Sequence, residues 1–308
     1  MSKVKPLVAI HCLVYNHEPY LRDCFEGFVM QQTTFPFVAI VHDDASTDNS
    51  AAIIREYEAK YPHIFKPIYE KENLYQKGGF VLINEVMNTA IEATGAKYVA
   101  KCEGDDYWTD PLKLKKQVDF MEANPEYSVC FHYFKIYDVH NDQWRKPAYT
   151  PQQGGEDVTT TMFLRIAHYG QPLTMLFRVS NFDYQWSRQY KYYRDTHEIY
   201  HLLQVGKGRI LSFVGGVYDL HNGGVCTSMT NQQNAAITRE IYKELYIYNP
   251  KDKVLRSFLY KAFLWNYDVF PANEFYEELK RYFCISPSIV FRVIVAVLKR
   301  KAKCIVRK

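Results

Sequence analysis

Residues 7–13 form a near-continuous apolar run, as expected of a strand buried on both faces, and Val14-Tyr15-Asn16-His17-Glu18-Pro19 breaks it as a turn. Leu21, Cys24, Phe25 and Phe28 then recur at i, i+3, i+4 and i+7, the spacing of one helix face. Residues 37–41 predict a second strand, which ends in His42-Asp43-Asp44-Ala45-Ser46-Thr47-Asp48-Asn49-Ser50, a run dense in helix-capping side chains. Ile53, Ile54 and Tyr57 mark a helix that stops before Pro62, and residues 66–69 read as a short third strand. The loop 72–79 leads to a helix with Ile83, Met87, Ala90 and Ile91 on one face. Residues 98–102 form a fourth strand, and Leu114, Val118 and Met121 place a helix soon after it.

Such alternation predicts parallel strands joined by right-handed crossovers, with helices on both faces of the sheet. Ligands of open sheets of this kind bind at the carboxyl ends of the strands. Further on, 128–137 predicts another strand, 141–157 a loop rich in Pro, Gln and Gly, and 174–179 and 210–214 two more strands. Residues 184–194 are crowded with Tyr, Arg and Gln, and Ile199, Leu202 and Leu203 mark a helix ending at Gly206-Lys207-Gly208. Beyond Thr238 the chain reads as helical, and it contains neither an internal repeat nor a low-complexity tract.

Composition narrows the class without deciding it. The 308 residues are 47% hydrophobic and 23% charged, enough for a sizeable core in one large domain or two smaller ones. A net charge of +4 is too weak to argue for nucleic acid. Seven scattered Cys with no CxxC pair fit reduced, buried thiols of a cytoplasmic protein better than a disulfide frame. No signal peptide opens the chain, and no uncharged apolar run approaches the roughly 18 residues of a spanning helix. From Leu279 to the C-terminus there is no Asp or Glu while Lys and Arg recur, and the apolar segment 289–298 precedes Lys299-Arg300-Lys301, Lys303, Arg307 and Lys308. Such a tail suits a helix lying at an anionic membrane surface, and equally a docked terminal helix with a solvated basic end.

The fourth strand runs into Glu103-Gly104-Asp105-Asp106. Three acids at one strand end repel one another unless a cation sits between them, and Mg²⁺ or Mn²⁺ binds through one or two carboxylates plus substrate phosphates. A solvated acidic turn, with Asp110 before Pro111 capping the next helix, fits the same letters. The polar ends of two other predicted strands, at Tyr15 and at Asp43 and Asp44, tilt the cluster toward a site.

Five blocks over roughly residues 4–228 resemble glycosyltransferase family 2. Leu13-Val14-Tyr15-Asn16 resembles its first-strand turn, His42 to Asp48 its DDxSxD segment and Glu103-Gly104-Asp105-Asp106 its DxD motif. Arg194-Asp195 resembles its late acid, and Tyr218-Asp219-Leu220-His221 its YRxH block. The resemblance implies a GT-A fold, a Rossmann-like, mostly parallel α/β sheet with helices on both faces. It places a catalytic domain over 1–228, with a nucleotide-sugar half to about 125 and an acceptor half after it, and leaves 229–308 as a helical extension. It also implies an inverting transfer of sugar from a UDP-sugar to a hydroxyl acceptor, a glycan or lipid-linked glycan of surface polysaccharide or glycolipid synthesis, at the inner face of the membrane or in the cytoplasm.

By the same resemblance Asp44 receives the nucleobase with Asp43 beside it, Leu13, Tyr15 and Asn16 line the base and ribose pocket, and Asn73 and Lys77 reach the nucleotide from their loop. Glu103, Asp105 and Asp106 hold Mn²⁺ or Mg²⁺ on the diphosphate, with His221 reaching metal or phosphates, and Asp195 is the general base. The chain departs from the family in Glu103, where Asp is commoner, and in Asp219, where Arg is frequent. Two other classes stay open: a catalytically silent sugar-nucleotide binder, and a zinc peptidase built on His197-Glu198-Ile199-Tyr200-His201, an HExxH match that lacks the Gly of the extended motif.

Overall fold

The computed structural model describes residues 5–146, 153–165, 170–224 and 227–306. Cys226, Arg307, Lys308 and the stretch 147–152 of the predicted loop lie outside them. The chain divides into two compact units, Met1–His221 and Asn222–Lys308.

In the first unit four strands, β1 (Val8–Val14), β2 (Phe37–Asp43), β3 (Phe65–Tyr69) and β4 (Tyr98–Lys101), run parallel in the order β3-β2-β1-β4. Helices α1 (Leu21–Val29), α2 (Ser50–Lys60) and α3 (Leu74–Thr94) supply the crossovers. Alternation along β1 sorts its side chains: Cys12 and Val14 join Leu21, Phe25, Phe28 and Ile54 in the core, while His11 faces the opposite side with Leu13. Phe25 stands edge-on to Tyr57 and Phe65, with centroids 5.1 and 4.9 Å apart, and so ties α1 to α2 and β3.

After β4 come β5 (Tyr107–Trp108), α4 (Lys113–Ala123), β6 (Tyr127–Asp138), β7 (Gln143–Arg145), β8 (Glu156–Val158), α5 (Thr160–Arg165), β9 (Leu176–Arg178), α6 (Asp195–Val205) and β10 (Lys207–Leu220). The sheet continues β4-β9-β6-β10-β5, with β6 and β10 parallel. As expected of a mostly parallel sheet, the exceptions are short: β9 is antiparallel to both β4 and β6, and β5, β7 and β8 pair antiparallel with β10, β6 and β10 respectively. The strand expected at 210–214 is longer than its apolar run, because β10 continues along β6 to Leu220 through irregular register at Leu211, Val214 and Gly216. This extension carries Tyr218, Asp219 and Leu220 within the strand and leaves His221 just past its end.

The second unit consists of α7 (Asn231–Tyr248), α8 (Lys253–Val269), α9 (Ala272–Phe283) and α10 (Pro287–Val306). Thr230 and Gln233 close a capping box at the start of α7, and Asp252 caps α8 through the amides of Val254 and Leu255. Leu245, Leu255, Leu259, Phe263, Phe275 and Val293 are buried in its interior.

Candidate active site

The site is built where β1, β2, β4 and β10 end. Past β1, Asn16 takes a left-handed conformation (φ 55°) that asparagine tolerates better than most residues. Its backbone N–H donates to Ser46 Oγ at 3.0 Å, and its Oδ1 accepts from the Thr47 N–H at 2.8 Å. The next two amides, of His17 and Glu18, donate to Ser50 Oγ and Asp48 Oδ2, each at 3.0 Å. The first-strand turn and the DDxSxD loop are thus laced into one rigid wall. Leu13 is half-buried and Tyr15 exposed along it.

Past β4, the Gly104 amide donates to the Leu13 carbonyl at 2.9 Å, bringing the acidic turn against β1. Only a glycine allows that approach: a Cβ there would lie 2.8 Å from His17 Nδ1 and 3.0 Å from Val14 Cγ2. The turn then sends its three acids in three directions. Asp105 meets two imidazoles, His221 Nε2 at 3.0 Å and His17 Nε2 at 3.7 Å from one carboxylate oxygen. Burial alone would raise its pKa, but the two imidazoles outweigh it and hold the carboxyl below its usual range. Asp106 points inward, 2% exposed, and its Oδ1 accepts the Asp219 N–H at 3.2 Å. Burial, and then the charge of Asp105, push its pKa well up. Glu103 faces Lys101, Asp195 and Arg194 instead, and burial followed by Asp105 pushes its carboxyl up to about 8.

Of the four side chains expected to ligate metal, the fold therefore brings Asp105 and His221 together, sets Glu103 beside them and turns Asp106 into the interior as an anchor for β10. Among the described residues no three His, Cys, Asp or Glu side chains gather in ligand geometry. Asp105 and His221 still fit a hard divalent ion, which usually takes one or two protein ligands and completes its shell with phosphate oxygens and water. His17 was missed in the sequence. Its only signal was a histidine three residues past an apolar strand.

At the end of β2 both acids are buried and engaged. Asp43 Oδ1 accepts from the Ser46 N–H at 3.2 Å. Asp44 accepts the first amides of α3, Leu74 N–H at 2.6 Å and Tyr75 N–H at 3.1 Å, where an acid also complements the helix dipole. Asn73 is the N-cap of the same turn, accepting from the Gln76 N–H at 2.7 Å, and Lys77 pairs with Glu72 in solvent. The loop expected over 72–79 is thus helical from Leu74, and non-helical backbone at Gly78 and Gly79 breaks the helix after its first turn. Gly79, at φ 66° and ψ −161°, occupies a region essentially restricted to glycine.

Asp195 opens α6, its Oδ1 accepting the Thr196 N–H at 2.8 Å. Arg194 before it lies 4.5 Å from the Phe80 ring centre and donates to the Tyr75 hydroxyl at 3.3 Å. One turn on, Glu198 accepts from Lys101 Nζ at 2.6 Å. The HExxH residues are used in packing. His201 stacks on Trp186 at 4.1 Å with Nε2 2.7 Å from the Tyr190 hydroxyl, and His197 lies against the Tyr190 ring at 4.4 Å. Burial drives the His201 pKa down to about 4, so the neutral ring persists at ordinary pH.

A model of the family "Glycosyl transferase family 2" matches residues 10–186, more than half of the chain. The chain therefore belongs to glycosyl transferase family 2, a family of glycosyltransferase enzymes. Among curated proteins it is 38% identical over 157 residues to the uncharacterized protein Rv1520 of Mycobacterium tuberculosis, 51% of this chain and 43% of that protein. It is 34% identical over 121 residues to TuaG of Bacillus subtilis, by provisional name a teichuronic acid biosynthesis glycosyltransferase, covering 39% of this chain and 44% of that one. The chain thus spans less than half the length of these relatives. Among solved structures, Staphylococcus aureus TarS 1-349 in complex with UDP-GlcNAc superposes with a TM-score of 0.62 at 19% identity over 87% of this chain and 74% of that one. The mannosyltransferase PcManGT of Pyrobaculum calidifontis, in complex with GDP-Man and Mn²⁺, gives 0.53 at 15% identity over 96% and 87%. Both likenesses bear on the fold, which is that of GT-A nucleotide-sugar enzymes.

Proposed function

We propose that this chain is an inverting glycosyltransferase that moves a sugar from a UDP-sugar to a hydroxyl of a glycan or lipid-linked glycan. The observation that carries the reading is the placing of Asp105, between two imidazoles at the carboxyl end of β4, on the same strand end as Glu103. In this reading the uracil and ribose lie along Leu13, Tyr15, Asn16, Asp43 and Asp44, with Asn73 and Lys77 at the rim. Asp105 and His221, with Glu103 adjoining, would hold Mn²⁺ or Mg²⁺, which would supply charge neutralisation at the diphosphate. Asp195 takes the acceptor hydroxyl proton as that oxygen attacks the anomeric carbon and the bond to the UDP oxygen breaks. A single displacement needs one base and no enzyme nucleophile, and Asp195 is proposed as that base.

The ligands of TarS and PcManGT, UDP-GlcNAc and GDP-Man, support a nucleotide-sugar donor, and the provisional name of TuaG, in teichuronic acid biosynthesis, supports a polysaccharide acceptor. Calorimetry of UDP with and without Mn²⁺, in the native chain and in Asp105→Ala, tests the site. Binding that needs the metal and vanishes in the variant supports the reading. Metal-independent or absent binding overturns it, and UDP affinity without turnover of any UDP-sugar leaves only the silent binder.

The acceptor side of the proposal draws on α10. Among the described residues no helix is long and apolar enough to cross a membrane. Yet α10 buries Ile289, Val290, Val293 and Val297 on one face and exposes Phe291 (68%), Ile294 (38%) and Leu298 (57%) on the other. Exposed Arg292 and Lys299 flank that second face. An apolar stripe edged by cations suits the interface of an anionic bilayer. Cosedimentation with vesicles containing phosphatidylglycerol, lost on truncation at Cys284, is the expected result; unchanged recovery would remove membrane attachment from the proposal.

A further inference from the structure

Lys101 and Glu198 form a buried ion pair that the proposed chemistry does not use. Lys101 is the last residue of β4 and 8% exposed; Glu198 lies in the first turns of α6 and is 2% exposed. Their contact is 2.6 Å, and the buried Tyr193 hydroxyl also engages Glu198. Burying two charges is costly and is rarely repaid in stability over a well-packed apolar pair. The cost calls for a use beyond holding the fold together.

Position supplies one. Glu103 follows Lys101 by two residues, the spacing that returns a chain to the same face of a sheet. Asp195 precedes Glu198 by three, the spacing that puts two side chains on one helix face. The Lys101–Glu198 bond thus ties the strand that leads to Glu103 to the helix that Asp195 opens. Without it, the first turn of α6 would lose its charged link to the end of β4.

We infer that Lys101 and Glu198 are positioning residues that fix the separation between Asp195 and the acidic turn at Glu103. The inference rests on the proposed roles of those two acids, but it concerns geometry that can be measured without turnover.

Removing one partner strands the other charge in the interior and endangers folding, so the decisive variant is Lys101→Met/Glu198→Met, which keeps the volume and removes both charges. Crystal structures of the native chain and this variant should differ by about 1 Å or more in the Asp195–Glu103 separation. Displacements of this size near a reacting centre cost ~100-fold in rate. Hydrolysis of whichever UDP-sugar the native chain turns over should therefore lose about that factor in kcat, with UDP–Mn²⁺ affinity unchanged. Glu198→Gln, which keeps an acceptor for Lys101, should lie between the two. An unchanged separation overturns the inference, as does a variant that melts earlier yet keeps native kcat at temperatures where it is folded. If the native chain binds no UDP, the glycosyltransfer reading falls, and the crystallographic comparison still decides the role of the pair.

Discussion

The Asp106 carboxyl accepts the backbone N–H of Asp219 at 3.2 Å, and through that bond it places His221, two residues later, against Asp105. The last acid of the DxD block thus works from inside the fold. Asp106→Asn keeps an oxygen at this position and should retain near-native metal-dependent UDP binding. Asp106→Ala frees the end of β10 and should weaken that binding ~10-fold, comparable to losing a supporting contact behind a ligand. Calorimetry of the two variants checks this, and equal losses in both would identify Asp106 as a ligand.

Asp44 serves the first turn of α3 with both carboxylate oxygens. Asp44→Ala leaves two amides without their acceptor and should cost about 1–2 kcal/mol of stability, typical of a lost cap with charge-assisted bonds. Amide exchange at Leu74 and Tyr75 should accelerate in the same variant, and UDP affinity should fall. Retention of native exchange rates would show that the turn does not depend on Asp44.

Gly104 is squeezed between the two strand ends. Gly104→Ala should cost about 1–3 kcal/mol, as overpacking generally does, because the new methyl meets His17 and Val14. Displacement of His17 should also raise the pKa of Asp105, which it now helps to lower. Thermal melts and a carboxyl titration by NMR would register both effects.

Lys113 is fully buried on α4, its Nζ 3.7 Å from the centre of the Trp108 ring and, among the described residues, without a hydrogen-bond acceptor. Burial lowers its pKa from 10.5 to about 7, against a smaller upward pull from Cys102 and Cys130. Between those two values the unfolded chain holds a proton that the folded one lacks, so this site makes stability rise with pH across that window, by up to about 1.4 kcal/mol per pH unit. Below the window the folded chain must bury the charge, and the destabilisation is complete. Lys113→Met should therefore be more stable than the native chain at neutral pH, with the difference shrinking as pH approaches 10. Denaturant melts from pH 6 to 10 measure it, and a constant difference would refute the assignment.

The first, second and fourth strands were legible because each is a largely apolar run closed by a turn, and the crossovers because their helices keep an apolar face at helical spacing. The strand ends were legible as polar clusters for the same reason. What each acid does there was not legible. Asp105 and Asp106 are adjacent, yet their partners are His221 and Asp219, and no local pattern reports a neighbour more than a hundred residues away. A separation of 97 residues likewise hid the pairing of Lys101 with Glu198 inside an apparent zinc motif. The three-residue strand β9 carried too few residues to declare its direction, which only its two flanking strands determine.

The glycines at 78 and 79 give α3 a further property. Their non-helical backbone sets the turn Leu74–Lys77 apart from the residues that follow, which weakens the cooperativity between the two. Asp44 holds it from β2, and Arg194 grips its Tyr75 from the start of α6. The turn is therefore a separate thermodynamic element whose local opening free energy is set by its own cap, Asn73, and by two side chains from elsewhere in the fold. A ligand that draws either side chain toward itself would loosen the turn while the long helix stays intact.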